Sequence, residues 1–379
     1  MKRLFAFALC FCLFLTACAK QPEQTTPPTF STTAPTAKPT TEPTTEPVTE
    51  PTTEPATEPT TVPTTEPVMN YRHPITGQWL AEPCTVRPVA VVTNNYRDAQ
   101  PVLGISHADI VFEHITEGLG SETRMLAVYT DLNFNDKLGT VRSARTYSVD
   151  LAANFNAIFV HCGGSSYAND KIKQMNYPSF DEFYNEKSFY RDQSRKDAGY
   201  LHEHTLVTEG NKLWAGISAK KWNLTVPAET SYGFTFSDTA DLKGSAAKTV
   251  TIQYYNKDGK YTIMEYDQNS GMYYGLQKWY KKQGAVADGN TNDPVPFKNV
   301  LILKTVVTSA DGSNKYMKLT GEGEGFLARD GQYVPIKWKR ASSSDSFTFT
   351  LTDGSPVTFG VGKTFVSILP TQSPDVLFA

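Results

Sequence analysis

The sequence predicts an N-terminal α/β layered domain followed by a mainly β C-terminal domain, both carried after a disordered stalk. Three observations predict it. Short continuous apolar runs alternate with helix-spaced segments up to about residue 225. Beyond that point the pattern changes to strand-like alternation broken by Asp/Asn/Gly turns. Ahead of both lies a long Thr/Pro/Glu-rich stretch with almost nothing apolar to bury.

The chain opens Met1-Lys2-Arg3, runs apolar from Leu4 to Leu15 and reaches Thr16-Ala17-Cys18. A basic start, an apolar core and small residues before a cut site form a secretory signal peptide. The run falls short of the roughly 20 apolar residues that a membrane span needs. Leu15-Thr16-Ala17-Cys18 resembles the bacterial lipobox, which implies that residues 1–17 are removed and Cys18 is lipidated. Two or more acyl chains on one residue give stable anchoring. The expected location is therefore the outer face of the cytoplasmic membrane, with the rest of the protein projecting into the cell wall.

The stalk, residues 18–70, repeats Thr-Thr-Glu-Pro at Thr40–Pro43, Thr44–Pro47, Thr52–Pro55 and Thr64–Pro67. Frequent Pro favours polyproline II, so about fifty residues reach on the order of 150 Å. A Thr-rich stretch of this kind also suits O-linked sugar. With the signal and the acidic stalk set aside, the folded part is close to neutral. No basic excess marks it for nucleic acid.

The α/β domain, residues 71–230, opens with Arg87–Thr93, a continuous apolar run typical of a buried strand. Ala108–Glu113, Met125–Thr130 and Ala157–Val160 read as further strands. Tyr147–Asn156, Ala168–Met175 and Glu209–Trp222 have helical spacing. The β domain, residues 231–379, takes strands at Thr249–Tyr255, Val300–Val307, Tyr333–Trp338, Phe347–Leu351 and Thr364–Leu369. Turns are expected at Asp267–Gly271, Asp311-Gly312, Gly321–Gly325 and Asp353-Gly354.

Five cysteines are present, and only Cys84 and Cys162 remain once the signal and Cys18 are assigned. Outside the membrane these two are able to pair, but sequence gives no distance between them. No Cys-x-x-Cys spacing supports structural zinc. His202 and His204 flank Glu203 and would share a face on a strand, yet no third ligand is evident. No metal and no cofactor are expected.

The polar residues that point to chemistry lie near likely strand ends. Arg142 and Arg145 flank Ser143 just before a helix, about 10 Å apart if the chain is extended. Guanidiniums beside hydroxyls and a helix N-terminus suit a carboxylate or phosphate. Arg124 and Arg191 are placed to join them, with Ser165 and His204. The bland alternative is structural pairing with Asp109, Glu113 or Glu117. His161 ends an apolar strand before Gly163-Gly164-Ser165, where ligands of open α/β sheets gather. With Glu113 or Glu117 as an orienting carboxylate it is the candidate general acid or base. Cys162, its neighbour, would point to the opposite face of a strand. No Gly-x-Ser-x-Gly elbow supports Ser143 or Ser165 as a nucleophile.

A series of motifs then carries a family resemblance: Arg87-Pro88-Val89-Ala90-Val91, Gln100-Pro101-x-x-Gly104, Ala108–Glu113, Thr123-Arg124, Gly139–Arg145 and His161-x-Gly163-Gly164-Ser165. With Gly323-x-Gly325, Trp338 and Gly362-Lys363-Thr364, the set resembles the YerB-like lipoproteins of Gram-positive bacteria. The resemblance implies a two-domain surface lipoprotein and no particular activity. Cys162 and Thr140 depart from that pattern, where a small apolar residue and Pro are expected.

Three readings follow. The first is a module that binds an anionic envelope component, such as a glycopolymer or peptidoglycan fragment, through an Arg/His-lined cleft. The second is an envelope hydrolase or transferase using His161, a carboxylate, Arg142 and Arg145. The third is a scaffold for partner proteins. Convergence of His161, Arg142 and Glu113 on one cleft would favour the enzyme.

Overall fold

In the computed structural model the described residues are 68–379, apart from 118–121, 240, 256–258, 313 and 373–375. The signal, Cys18 and nearly all of the stalk lie outside the described residues. Strands dominate, and a few short helices accompany them.

A long central sheet organises the fold. From one edge it runs Ser245–Ala246, Gln332–Arg340, Gly321–Arg329, Asn299–Thr305, Thr364–Pro370, Ile110–Ile115, Thr123–Tyr129, Val89–Asn94, Ile158–His161 and Ser179–Asp181. Thr348–Leu351 adds to Gln332–Arg340. The strand Thr364–Pro370 pairs in parallel with Asn299–Thr305 on one side and with Ile110–Ile115 on the other. Both domains therefore share one sheet, and Thr65–Ala379 forms one compact unit.

The middle strands read as near-continuous apolar runs because both of their faces are covered. Val89, Val91, Val92, Val111, Leu126 and Val128 are almost wholly enclosed, each stabilising the fold by about 1.5–3 kcal/mol relative to exposure. The helix Thr146–Asn154 packs on this sheet. Asn154 Oδ1 accepts from the Phe347 amide at 2.8 Å, which ties the helix to the second domain.

A second sheet is antiparallel: Lys282–Ala285, Met272–Trp279, Tyr261–Asp267, Thr249–Gln253 and Val376–Phe378. Its three middle strands alternate buried and part-exposed residues, as in Thr249–Gln253, because one face meets the core and the other meets water.

One expected turn is a strand instead. Gly321–Gly325 lies within Gly321–Arg329 and pairs with Gln332–Arg340. A Cβ on Gly323 would stand 2.5 Å from the Trp338 indole, and one on Gly325 would stand 2.0 Å from the Ile302 carbonyl. These glycines admit a close neighbour inside a strand rather than a reversal of the chain.

Candidate functional site

Val89–Asn94 and Ile158–His161 are parallel neighbours, so their carboxyl ends open on the same edge of the sheet. The segment 140–145 is laid across these ends. Asn94 N donates to Thr140 O (2.9 Å), Arg142 N to Val92 O (2.9 Å), Cys162 N to Arg142 O (3.0 Å) and Ala144 N to Gly163 O (2.9 Å). Arg145 closes the segment as the residue that precedes the helix Thr146–Asn154, with an extended backbone. Main-chain bonding thus brings Arg142, Ser143, Arg145 and Ser165 to one neighbourhood.

Arg142 and Arg145 take different partners. Arg142 Nη1 donates to the Glu203 carbonyl (3.0 Å) and lies 3.9 Å from Glu203 Oε1, a carboxylate that is 61% exposed. Arg145 Nε pairs with Glu117 Oε2 at 2.6 Å. Burial outweighs Arg145 and Arg124 individually, yet together with Thr116 they hold the Glu117 carboxyl below its ordinary range.

Arg124 enters from the neighbouring strand. Its side chain is close enough to both other arginines that burial first, then the Arg145 charge and, more weakly, Arg142 push it down to about 10. It remains a cation at neutral pH. Arg124 is only 8% exposed. Nη1 donates to the Ser143 carbonyl at 2.9 Å, and among the described residues no carboxylate lies within ion-pair distance of it. Glu117 attracts Arg124 from beyond ion-pair distance, and a guanidinium enclosed without an acid in contact is costly unless an anion completes it.

Arg191 and His204 approach from the small sheet Lys137–Gly139, Leu206–Glu209 and Tyr190–Arg191. Arg191 Nη1 donates to His202 O (2.9 Å). His204 Nδ1 accepts from Asn94 Nδ2 (2.8 Å), and burial, then Arg142, push its pKa down. His202–His204 is a single 3-10 turn rather than a strand, with His204 buried and His202 exposed. The two imidazoles therefore do not share a face. Ser165 Oγ accepts from Ala168 N (3.2 Å) and caps the helix Ser166–Gln174.

Two of the acid–base candidates stand apart from this group. His161 is buried, and its Nδ1 donates to Gly163 O (2.7 Å) while Nε2 accepts from Ser179 Oγ (2.5 Å). Burial pushes its pKa down, and the charged group that faces it is Asp181. Both ring nitrogens are engaged, which leaves none for a substrate. Glu113 points to the other face of its strand. Its Oε1 meets Lys260 Nζ (2.8 Å), Asn95 Nδ2 (2.8 Å) and Thr123 Oγ1 (2.7 Å), and its Oε2 accepts from Thr262 Oγ1 (2.7 Å). His161, Arg142 and Glu113 do not share a cleft.

Cys84 and Cys162 are both free thiols. Cys162 Sγ donates to Glu182 Oε2 (3.4 Å), and burial followed by Glu182 pushes the thiol up to about 12. Such a thiol is a poor nucleophile at neutral pH.

Sequence reasoning missed His114. It stands directly opposite Arg124 in the strand register, so the two share a face, and its ring meets Tyr147 edge-on at 4.8 Å. Strand alternation from Glu113 signals that His114 faces the other way, but nothing local identifies its partners.

This sheet-centred fold, with paired α/β and β parts and an arginine-lined strand end, belongs to a family of two-domain proteins. Residues 75–223 match the model "Protein of unknown function (DUF3048) N-terminal domain", and residues 249–366 match that family's C-terminal domain. The chain is a member of this family and a homologue of "Putative lipoprotein YerB" from Bacillus subtilis (strain 168). The two are 28% identical over 306 residues, covering 78% of this chain and 86% of that protein. The crystal structure of YerB protein from Bacillus subtilis superposes with a TM-score of 0.68 at 26% identity, covering 79% of this chain and 97% of that one. No helix among the described residues is long and apolar enough to cross a membrane.

Proposed function

We propose that this lipoprotein-family member binds an anionic component of the cell envelope at the edge lined by Arg124, Arg142 and Arg145, with Arg191 and His204 beside them. The observation that carries the reading is Arg124, an enclosed cation with a carbonyl and no carboxylate in contact among the described residues. A phosphate or carboxylate group supplies the missing charge. Phosphate-rich or uronate-bearing glycopolymers and peptidoglycan fragments are anions that an envelope protein meets. The anchor is Cys18, and the Thr/Pro/Glu-rich stretch is the spacer that sets the folded part out into the wall. The relative's name, a lipoprotein, supports the anchor.

The hydrolase or transferase reading gains no support from His161, whose ring is engaged on both sides. Binding of the purified protein to anionic polymer released from Bacillus subtilis walls tests the proposal. Arg142→Ala is expected to weaken that binding by about 1–3 kcal/mol with little change in melting temperature. Large losses of stability in both Arg142→Ala and Arg145→Ala, with binding intact, would mean that these arginines are structural. For the anchor, Cys18→Ala is expected to abolish lipid labelling and release the protein from membranes, and unchanged fractionation would sink that part.

A further inference from the structure

Glu117 Oε2 accepts from Thr116 Oγ1 at 2.9 Å and pairs with Arg145 Nε at 2.6 Å. Glu117 Oε1 is enclosed and has no donor among the described residues. A second acceptor without a donor lies on the Arg124 face of the strands. The Nδ1 of His114 donates to Ile115 O (3.2 Å), so Nε2 carries a bare lone pair, and that atom too is buried and unpartnered. Native proteins rarely leave such atoms without a partner.

These atoms restrict what the anion is. A group that only accepts, such as a bare inorganic anion, satisfies Arg124 and leaves both acceptors empty. An ammonium donor would bring positive charge against Arg124 and Arg145, at a Coulombic cost. A neutral hydroxyl meets both conditions, and the one the chain itself brings near, that of Tyr147 against the His114 ring, is buried without a hydrogen bond to either acceptor. We infer that the anion held beside Arg124 and Arg145 also bears a hydroxyl that donates to Glu117 Oε1, which makes the ligand a hydroxyl-bearing phosphate or carboxylate. The inference rests on the anion-binding reading above and adds the ligand's neutral half. Glu117 thus has two tasks: Oε2 steadies Arg145, and Oε1 reads the hydroxyl.

Glycerol 3-phosphate and propyl phosphate test this with the full chain, because they share a charged group and a three-carbon body and differ in hydroxyls. Calorimetric titration is expected to show glycerol 3-phosphate binding about tenfold or more tighter, since a site built for a hydroxyl rejects the analogue that lacks it. Glu117→Gln is expected to bring the two affinities together while both ligands still bind. Arg142→Ala is expected to weaken both and keep their ratio. Equal binding of the two phosphates to the unaltered protein overturns the hydroxyl inference and leaves the anion site standing; water then fills the two acceptors. Binding of neither overturns both. A preference that survives Glu117→Gln removes Glu117 as the reader. The comparison on the unaltered protein decides the matter even if that variant fails to fold.

Discussion

Glu113 and Lys260 meet at 2.8 Å with both side chains fully enclosed, and the pair joins the two domains. Lys260 Nζ also donates to Thr262 Oγ1 (2.7 Å) and to the Tyr261 carbonyl (3.1 Å). Its ammonium lies 5.0 Å from the centre of the Trp279 ring and 5.5 Å from that of Tyr254. Burial pushes the Lys260 pKa down and Glu113 pulls it back up. The carboxylate and ammonium are each fully partnered, so the pair has little left to offer a ligand.

Removing one partner of this pair strands the other in a dry site. Glu113→Ala is expected to cost about 3–5 kcal/mol in denaturant-induced unfolding. Replacing both at once, Glu113→Met with Lys260→Met, is expected to recover most of that loss, since no charge is then left unpaired. Equal losses in the single and double variants would show that packing, not charge, dominates here.

Much of the fold was legible along the chain. The run Arg87–Thr93 announces a buried strand by composition, found at Val89–Asn94, and Tyr147–Asn156 announces a helix by spacing, found at Thr146–Asn154. The partner of a strand was not legible. Nothing in Thr364–Pro370 says that it slots between Ile110–Ile115 and Asn299–Thr305, because pairing over such separations leaves no local signature. The site divides the same way. Arg142 and Arg145 were visible as a motif, since one short segment carries both. The engagement of His161 by Ser179 and of Glu113 by Lys260 depends on residues far off in sequence. Glycine misled at Gly321–Gly325, where its value is close packing against Trp338 rather than a turn.

The shared sheet makes the two domains depend on each other. Without Thr364–Pro370, the wholly buried strand Ile110–Ile115 becomes an exposed edge, which invites aggregation. Arg340 Nη2 also donates to Asp150 O (2.7 Å), and Lys363 Nζ donates to Ser106 O and Ala108 O (2.7 Å each), all across the same division. Cutting within the exposed stretch 227–229 is expected to give fragments that lack cooperative unfolding alone and regain it when mixed. Cooperative melting of the isolated 68–228 fragment, seen by near-ultraviolet circular dichroism, would refute this dependence.

The last prediction concerns pH. His114 is fully buried beside Arg124, and burial is the main cause that pushes its pKa from 6.5 down to about 4. The unfolded chain therefore takes up this proton at a higher pH than the folded protein does. The stabilisation is fully present above about pH 6.5 and is lost as pH falls towards 4, amounting to about 3 kcal/mol over that window. Burial also depresses His73, His161 and His204, so the unaltered protein alone cannot isolate one ring. The comparison that does is His114→Gln, which keeps a polar side chain of similar reach and removes the titration. Melting temperatures of both proteins between pH 7 and pH 4.5 are expected to fall, with a visibly shallower decline for His114→Gln. Parallel declines would show that the His114 proton is not linked to folding, and that a partner satisfies its Nε2 after all.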